Sequence, residues 1–114
     1  MAECLFCQIV DGSIPARKLY EDDQAMAIED VNPQASVHML VIPKRHMVSL
    51  DETQEMDEAL LGRLLVVCAK MARERGIAES GYRVVANTGR EAGQTVFHLH
   101  FHVLGGRSFT WPPG

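Results

Sequence analysis

Histidine alternates with apolar residues through residues 97–104, which read Phe-His-Leu-His-Phe-His-Val-Leu. In an extended strand, successive side chains point to opposite faces. The pattern therefore places His98, His100 and His102 on one face of a strand predicted over residues 96–104. Three of the chain's five histidines would then form one row. The opposite face, which can enter a core, would carry Phe97, Leu99, Phe101 and Val103.

Such a row of imidazoles has two chemical uses, and the residues alone leave both open. Adjacent members of a His-x-His pair can bind one Zn²⁺, whose nitrogen ligands lie ~2.0–2.1 Å away. The outer pair is about twice as far apart as neighbours on one face, so all three are not expected to share one ion. The alternative is a phosphate site, because one imidazole can attack phosphorus while its neighbour donates a proton.

The polar loop directly before this strand, residues 87–95, favours phosphate. Its backbone N–H groups around Gly93, the amides of Asn87 and Gln94 and the hydroxyl of Thr95 can all face oxygen atoms. The phosphate-loop signature GxxxxGK[ST] is absent from the sequence, so a P-loop ATPase is not supported. We therefore expect a phosphate-binding loop of a different kind.

The rest of the chain predicts an α+β fold in a single domain, residues 1–114. Apolar spacing indicates a short helix over residues 4–11, ended by Gly12, and a long amphipathic helix over residues 56–75, ended by Gly76. Strands are predicted at 18–20, 25–28, 37–42, 82–86 and 96–104. Short turns between sequence neighbours favour an antiparallel sheet of about five strands with the helices packed on it.

Charge, hydropathy and cysteine content restrict the partners. Lys and Arg total 11 against 15 Asp and Glu, a net charge of −4 that gives no support to nucleic-acid binding. The chain has neither a signal-peptide pattern nor the ~20 apolar residues of a membrane span, so we expect no membrane association. Three cysteines do not form a disulfide framework, which favours a cytoplasmic protein with reduced thiols. Cys68 lies on the apolar helix face and is predicted to be core.

The segment from His98 to Leu104 resembles the histidine triad pattern His-φ-His-φ-His-φ-φ, with φ apolar. The chain resembles in particular the Hint branch of that superfamily, the nucleoside-phosphoramidate hydrolases, and the similarity extends over nearly its whole length. The segments that carry it are Ser13–Ala16, Tyr20–Asp22, Pro33–Ala35, His38, Leu40–Lys44, Gly93–Gln94, His102–Gly106 and Trp111–Gly114.

This resemblance implies a two-step hydrolysis without an organic cofactor. His100 would attack the α-phosphorus of a purine nucleoside 5′-phosphoramidate or related mixed anhydride, and water would release the monophosphate from a nucleotidyl-histidine. His102 would contact the phosphate and assist the leaving group, while His98 and His38 would complete the cluster. A dinucleoside polyphosphate hydrolase, and a nucleotide-binding regulatory module with incidental hydrolysis, are the alternatives.

The resemblance also assigns the substrate contacts. Asp30 would bind both ribose hydroxyls, as suits a carboxylate facing two O–H donors. Asn87, Gly93 and Thr95 match phosphate-contacting positions, and Gln94 lies beside them. The base pocket would be walled by Leu5, Phe6, Ile9, Ile14, Ile28 and Val31, for which plain core packing is the alternative. The family fold pairs with a second copy as a homodimer, which would bring Trp111 near the partner's site.

A structural zinc site is the last implication. Cys4-x-x-Cys7 has a metal-ligand spacing but needs two further ligands. By resemblance to the metal-binding bacterial type of this branch, these would be His46 and His98.

Overall fold

The computed structural model describes residues 3–114, and within them five strands form one antiparallel sheet. The strands are β1 Lys18–Glu21, β2 Ala25–Glu29, β3 Val37–Pro43, β4 Tyr82–Val85 and β5 Phe101–Gly105. Their spatial order is β1-β2-β3-β5-β4. Sequence neighbours β1 and β2 are joined by a tight turn in which Oδ1 of Asp22 accepts hydrogen bonds from the backbone N–H groups of Gln24 and Ala25, both at 2.8 Å.

Within residues 3–114, two α-helices accompany the sheet, as predicted. The short helix α1 spans Leu5–Val10, and the chain turns away at Gly12, whose φ of +87° favours glycine. The long helix α2 spans Glu58–Glu74 and follows a 3-10 turn at Glu55–Asp57. These elements confirm the predicted α+β class. Among the described residues, no helix is long and apolar enough to cross a membrane.

Both faces of the sheet are buried, because the central strands β2 and β3 carry small or apolar side chains on both sides. Helix α2 covers one face through its buried stripe, which includes Leu64, Val67 and Cys68. Cys68 is core, as predicted. The other face packs against Phe6 of α1 through Met26, Ile28, Leu40 and Ile42. The histidines lie at the end of this second face.

The prediction that the last strand begins at residue 96 is wrong, because β5 begins at Phe101. In the β3–β5 register, Val41 pairs with Phe101, so two further steps would bring Leu99 opposite Pro43. Proline has no N–H to donate to the ladder. The backbone N–H of Leu99 instead donates to the carbonyl of Met47 at 2.6 Å. Only His102 of the three histidines therefore lies within the strand.

The predicted division of faces nevertheless holds for most of this segment. Leu99, Phe101 and Val103 are buried in the core under α2. His98, His100 and His102 face the other side, where the rings of His100 and His102 lie 5.0 Å apart. Phe97 departs from the prediction, because it is 52% exposed instead of entering the core.

Candidate functional site

A cavity of about 660 Å³ opens between α1, the adjoining ends of β2 and β3, and the segment that carries His100 and His102. Its size is in the range of small-molecule sites. Both His100 and His102 line it, as do Asp30, His38 and Thr95. The six residues predicted as base-pocket walls also line it, although Val31 is 99% exposed: they are Leu5, Phe6, Ile9, Ile14, Ile28 and Val31.

His100 is held so that one ring nitrogen is left for chemistry. Its Nδ1 lies 2.8 Å from the carbonyl oxygen of His98, and because a carbonyl can only accept, Nδ1 carries the proton. In the neutral ring, Nε2 then has the free lone pair. Burial lowers the pKa of His100 below its ordinary value, so the ring is neutral near pH 7. The edge of Phe6 packs against this ring at 5.0 Å.

His38 is fixed in the opposite tautomer. Its Nδ1 accepts a hydrogen bond from the backbone N–H of Gln34 at 3.0 Å, so the proton of the neutral ring is on Nε2. That N–H faces two acceptors, Nδ1 of His102 at 2.9 Å and Oδ2 of Asp30 at 3.2 Å. Neutral His102 consequently carries its own proton on Nε2. The contact between His38 and His102 arises because both lie on the same face of paired strands β3 and β5.

The pKa of His102 is lowered to about 4, first by burial and then by the nearby rings of His100 and His38. Burial likewise lowers the pKa of His38. The carboxylate of Asp30 acts in the opposite direction on both rings, because a negative charge favours the imidazolium form. The free site therefore holds neutral imidazoles next to the carboxylate of Asp30.

A second cluster lies behind the cavity and joins Cys4, Cys7, His46 and His98. Nδ1 of His98 lies 3.4 Å from Sγ of Cys4, 3.6 Å from Sγ of Cys7 and 3.2 Å from Nδ1 of His46. Sγ of Cys7 lies 3.3 Å from Nδ1 of His46. Tetrahedral Zn²⁺ with ordinary bond lengths requires ligand–ligand distances of about 3.3–3.8 Å. The four side chains predicted as ligands are thus brought together at the spacing that the metal needs.

The tautomer of His98 also suits a metal ligand. Its Nε2 lies 2.8 Å from the carbonyl oxygen of Pro43, so Nε2 carries the proton and Nδ1 presents its lone pair to the cluster. The ring is fully buried, and Phe6 packs against it edge-on at 5.8 Å. His98 therefore connects the two sites, since its ring belongs to the cysteine cluster and its carbonyl holds His100.

The residues of the loop predicted to bind phosphate differ in position. Thr95 lines the cavity, whereas the side chain of Gln94 is buried and bonded within the protein. Gln94 Oε1 accepts from the N–H of Gly89 at 2.8 Å, and Nε2 donates to the carbonyl of Val48 at 2.7 Å. Gln94 thus shapes the loop from behind. Gly93, with a φ of +89°, and Asn87 lie in this loop outside the cavity wall.

Trp111 lies on the tail and is 82% exposed, away from the cavity of its own chain.

Sequence reasoning missed the backbone groups that set the tautomers, which are the N–H of Gln34 and the carbonyls of His98 and Pro43. The sequence offers one indication of these groups, because Pro43 marks where hydrogen bonding between β3 and β5 ends.

Comparisons with known proteins match almost the whole chain. The family profile described as "HIT domain" matches residues 11–109. An uncharacterised HIT-like protein of Synechocystis is 51% identical over 115 residues, covering 100% of both chains. A solved HIT family hydrolase from Legionella pneumophila superposes with a TM-score of 0.97 at 45% identity, covering 98% of this chain and 100% of the other. A Zn-bound histidine triad family protein from Mycobacterium smegmatis gives 0.79 at 36% identity, covering 99% and 81%.

Proposed function

The chain belongs to the HIT domain family, and on that premise we propose that it hydrolyses purine nucleoside 5′-phosphoramidates through a covalent nucleotidyl-histidine. The observation that carries the proposal is the state of His100. Its Nδ1 proton is held by the carbonyl of His98, so a neutral ring offers the Nε2 lone pair in a cavity of nucleotide size. The proposal that the chain belongs to the Hint branch rests on the motifs of its sequence.

The first step forms a bond between Nε2 of His100 and the α-phosphorus. The P–N bond of the substrate breaks, and its electron pair leaves with the amine nitrogen, which takes a proton from Nε2 of His102. In the second step a water oxygen bonds phosphorus, the bond to His100 breaks, and the water proton returns to His102. The anionic phosphate favours the protonated form of His102 that the first step uses, since it opposes the effect of burial on the pKa. In that form Nδ1 of His102 no longer accepts a hydrogen bond, and the Nε2–H of His38 has Oδ2 of Asp30 as its acceptor.

The nucleotide would occupy the cavity with its base against the apolar wall and its ribose hydroxyls on Asp30. Thr95 Oγ1 and backbone N–H groups of residues 87–95 would face the phosphate oxygens. The buried amide of Gln94 would keep this loop in shape without touching the substrate. Purine is the base expected from the resemblance to the Hint branch, and the exposed apolar side chains of the wall, including Leu5 and Val31, would contact it.

Zn²⁺ fits the cluster of Cys4, Cys7, His46 and His98, because the donor set and the spacing of the four atoms suit tetrahedral coordination. When bound, the metal would supply a structural cross-link between α1, the segment after β3 and the segment before β5. His98 would then hold the nucleophile more firmly through its carbonyl. The Asp30–His38–His102 group is a poorer candidate, because a proton on Nε2 of His38 fills the space between its atoms.

We propose further that the chain acts as a single-domain homodimer in the cytoplasm, where reducing conditions keep Cys4 and Cys7 available as ligands. Residues of α2 such as Leu65 and Val66 are half exposed and offer an apolar surface to a second copy. In the dimer, the exposed Trp111 would lie near the partner's cavity.

The variant His100→Ala tests the proposal. We expect turnover of adenosine 5′-phosphoramidate to fall by about 10⁴-fold or more, while adenosine monophosphate still binds. Full activity in this variant would refute the covalent mechanism. Faster hydrolysis of diadenosine triphosphate by the wild type would favour a dinucleoside polyphosphate hydrolase. Tight monophosphate binding without turnover of any phosphoramidate would favour a regulatory module.

A further inference from the structure

We propose that Asp30 has a second task besides binding ribose, namely to hold and charge the His38–His102 pair as a positioning residue for His102. The inference rests on the proposed function, since it concerns the group that protonates the leaving nitrogen. It differs from a purely sugar-binding role in one respect. Asp30 should matter for catalysis even when the substrate has no hydroxyl groups to bind.

The geometry places the carboxylate against the pair in the free protein. Oδ2 of Asp30 lies 3.2 Å from Nε2 of His38 and 4.0 Å from Nδ1 of His102. Because the N–H of Gln34 occupies Nδ1 of His38, the single proton of neutral His38 points between Asp30 and His102. Asp30 is therefore one of two acceptors that fix the His38 ring, and the His38 ring in turn fixes the tautomer of His102.

The hydrogen-bonding capacity of Asp30 allows both tasks at once. An ionised carboxylate has about four lone-pair sites, two on each oxygen. The backbone N–H of Asn32 uses one site on Oδ1 at 2.8 Å, and His38 uses one on Oδ2. One site remains on each oxygen, which matches the two O–H donors of a ribose diol. Binding of the sugar thus does not require Asp30 to release His38.

The charge of Asp30 supplies the second part of the argument. Asp30 is 16% exposed, so its charge is only partly screened by solvent. Two charged groups, Asp30 and Glu29, face His38. The groups that face His102 are His100, His38 and Asp30. Among those that face His102, Asp30 alone is negative, so it favours the proton that His102 must deliver.

The test uses a substrate without sugar hydroxyls, 2′,3′-dideoxyadenosine 5′-phosphoramidate, with wild type and Asp30→Asn. Asparagine keeps the size of the side chain and an acceptor for the N–H of Asn32, but it loses the charge. We expect kcat on the dideoxy substrate to fall about tenfold or more, and the alkaline limb of its pH profile, where His102 loses its proton, to move to lower pH. Equal kcat for the two proteins on this substrate would overturn the inference.

Glu29→Gln is the matched control, because it removes a carboxylate from the adjacent position whose side chain pairs with Arg75. We expect it to have a much smaller effect on kcat than Asp30→Asn, and an equal effect would contradict a specific role for Asp30. In a double-mutant cycle, Asp30→Asn should cost little kcat once His38→Gln is present. Strictly additive losses would also count against the inference. If Asp30→Asn does not fold, Asp30→Ser, with a short acceptor for Asn32, repeats the measurement.

Nitrogen-15 NMR titration of the free protein separates this inference from the proposed function. Asp30→Asn should lower the pKa values of His38 and His102 relative to the wild type, whether or not any phosphoramidate is hydrolysed. Unchanged titration would overturn the inference. A wild type that turns over neither the ribose nor the dideoxy substrate would refute the proposed function, and the NMR result would then decide the role of Asp30 alone.

Discussion

Removal of Zn²⁺ from the cluster of Cys4, Cys7, His46 and His98 should lower the free energy of unfolding. The size of the decrease follows from the lengths of the chain loops that the cluster closes. The pairs Cys7–His46 and His46–His98 close loops of 39 and 52 residues. A permanent cross-link of either size would contribute about 4 kcal/mol by loop-closure entropy. A metal link is reversible, and at a hundredfold excess over its Kd it stabilises by about 2.7 kcal/mol. We therefore expect a loss of about 3 kcal/mol.

This loss converts to a shift in melting temperature. With an unfolding entropy of about 2.1 cal/mol/K per residue over 114 residues, 3 kcal/mol corresponds to a decrease in Tm of about 12 °C. The assay is thermal unfolding followed by circular dichroism, with and without a chelator. Elemental analysis of protein purified without added metal should give about one zinc per chain.

Two variants make the zinc test specific. Cys7→Ser should have a low Tm that the chelator no longer changes. Cys68→Ala removes a thiol from the core under α2, so it should lower Tm through lost packing but keep the full chelator shift. A chelator shift below about 2 °C in the wild type, together with only traces of zinc, would refute the reasoning.

Three further predictions concern the histidines and the long helix. His102→Gln should lower kcat by about 10²-fold or more on phosphoramidates, and by less on substrates whose leaving group needs no proton. Steady-state kinetics would measure both losses, and equal losses would contradict the general-acid role. Because burial lowers the pKa of His102 from 6.5 to about 4, the unfolded chain binds more protons between these values, and stability should fall as pH decreases through that window. After discounting for the partly exposed ring, the loss is on the order of 2 kcal/mol by urea unfolding at pH 7 and pH 4.5, and it should shrink in His102→Gln. Gly62→Ala should stabilise α2 of the single chain by about 1 kcal/mol, because a Cβ there would meet no atom of this chain within 4 Å. A lower Tm at protein concentrations where the chain is monomeric would contradict this.

The sheet and helices were largely predictable because local pattern determines them. The apolar run before Pro43 predicted β3, and the periodicity of residues 56–75 predicted α2 to within two residues at its N-terminal end. The start of β5 was not predictable from its own residues. It depends on the position across the sheet, where Pro43 ends the ladder. The exposure of Phe97 follows from the same early end of pairing.

In the site, too, features set by neighbouring residues were predictable, and features set by residues remote in sequence were not. Alternation alone indicated that His98, His100 and His102 share one side. The protonation pattern of these rings could not be predicted, because it is set by the carbonyl of Pro43 and the N–H of Gln34, which are remote in sequence. The contact between Asp30 and His38 likewise arises where the ends of β2 and β3 meet.

The stereochemistry at phosphorus tests the central claim most directly. A nucleoside 5′-phosphoramidate analogue with a chiral phosphorothioate centre would be hydrolysed in ¹⁸O-labelled water and the configuration of the product determined. Attack by Nε2 of His100 followed by attack by water comprises two in-line displacements, so we predict retention of configuration. Inversion would mean that water attacks phosphorus directly, and it would contradict His100 as the nucleophile.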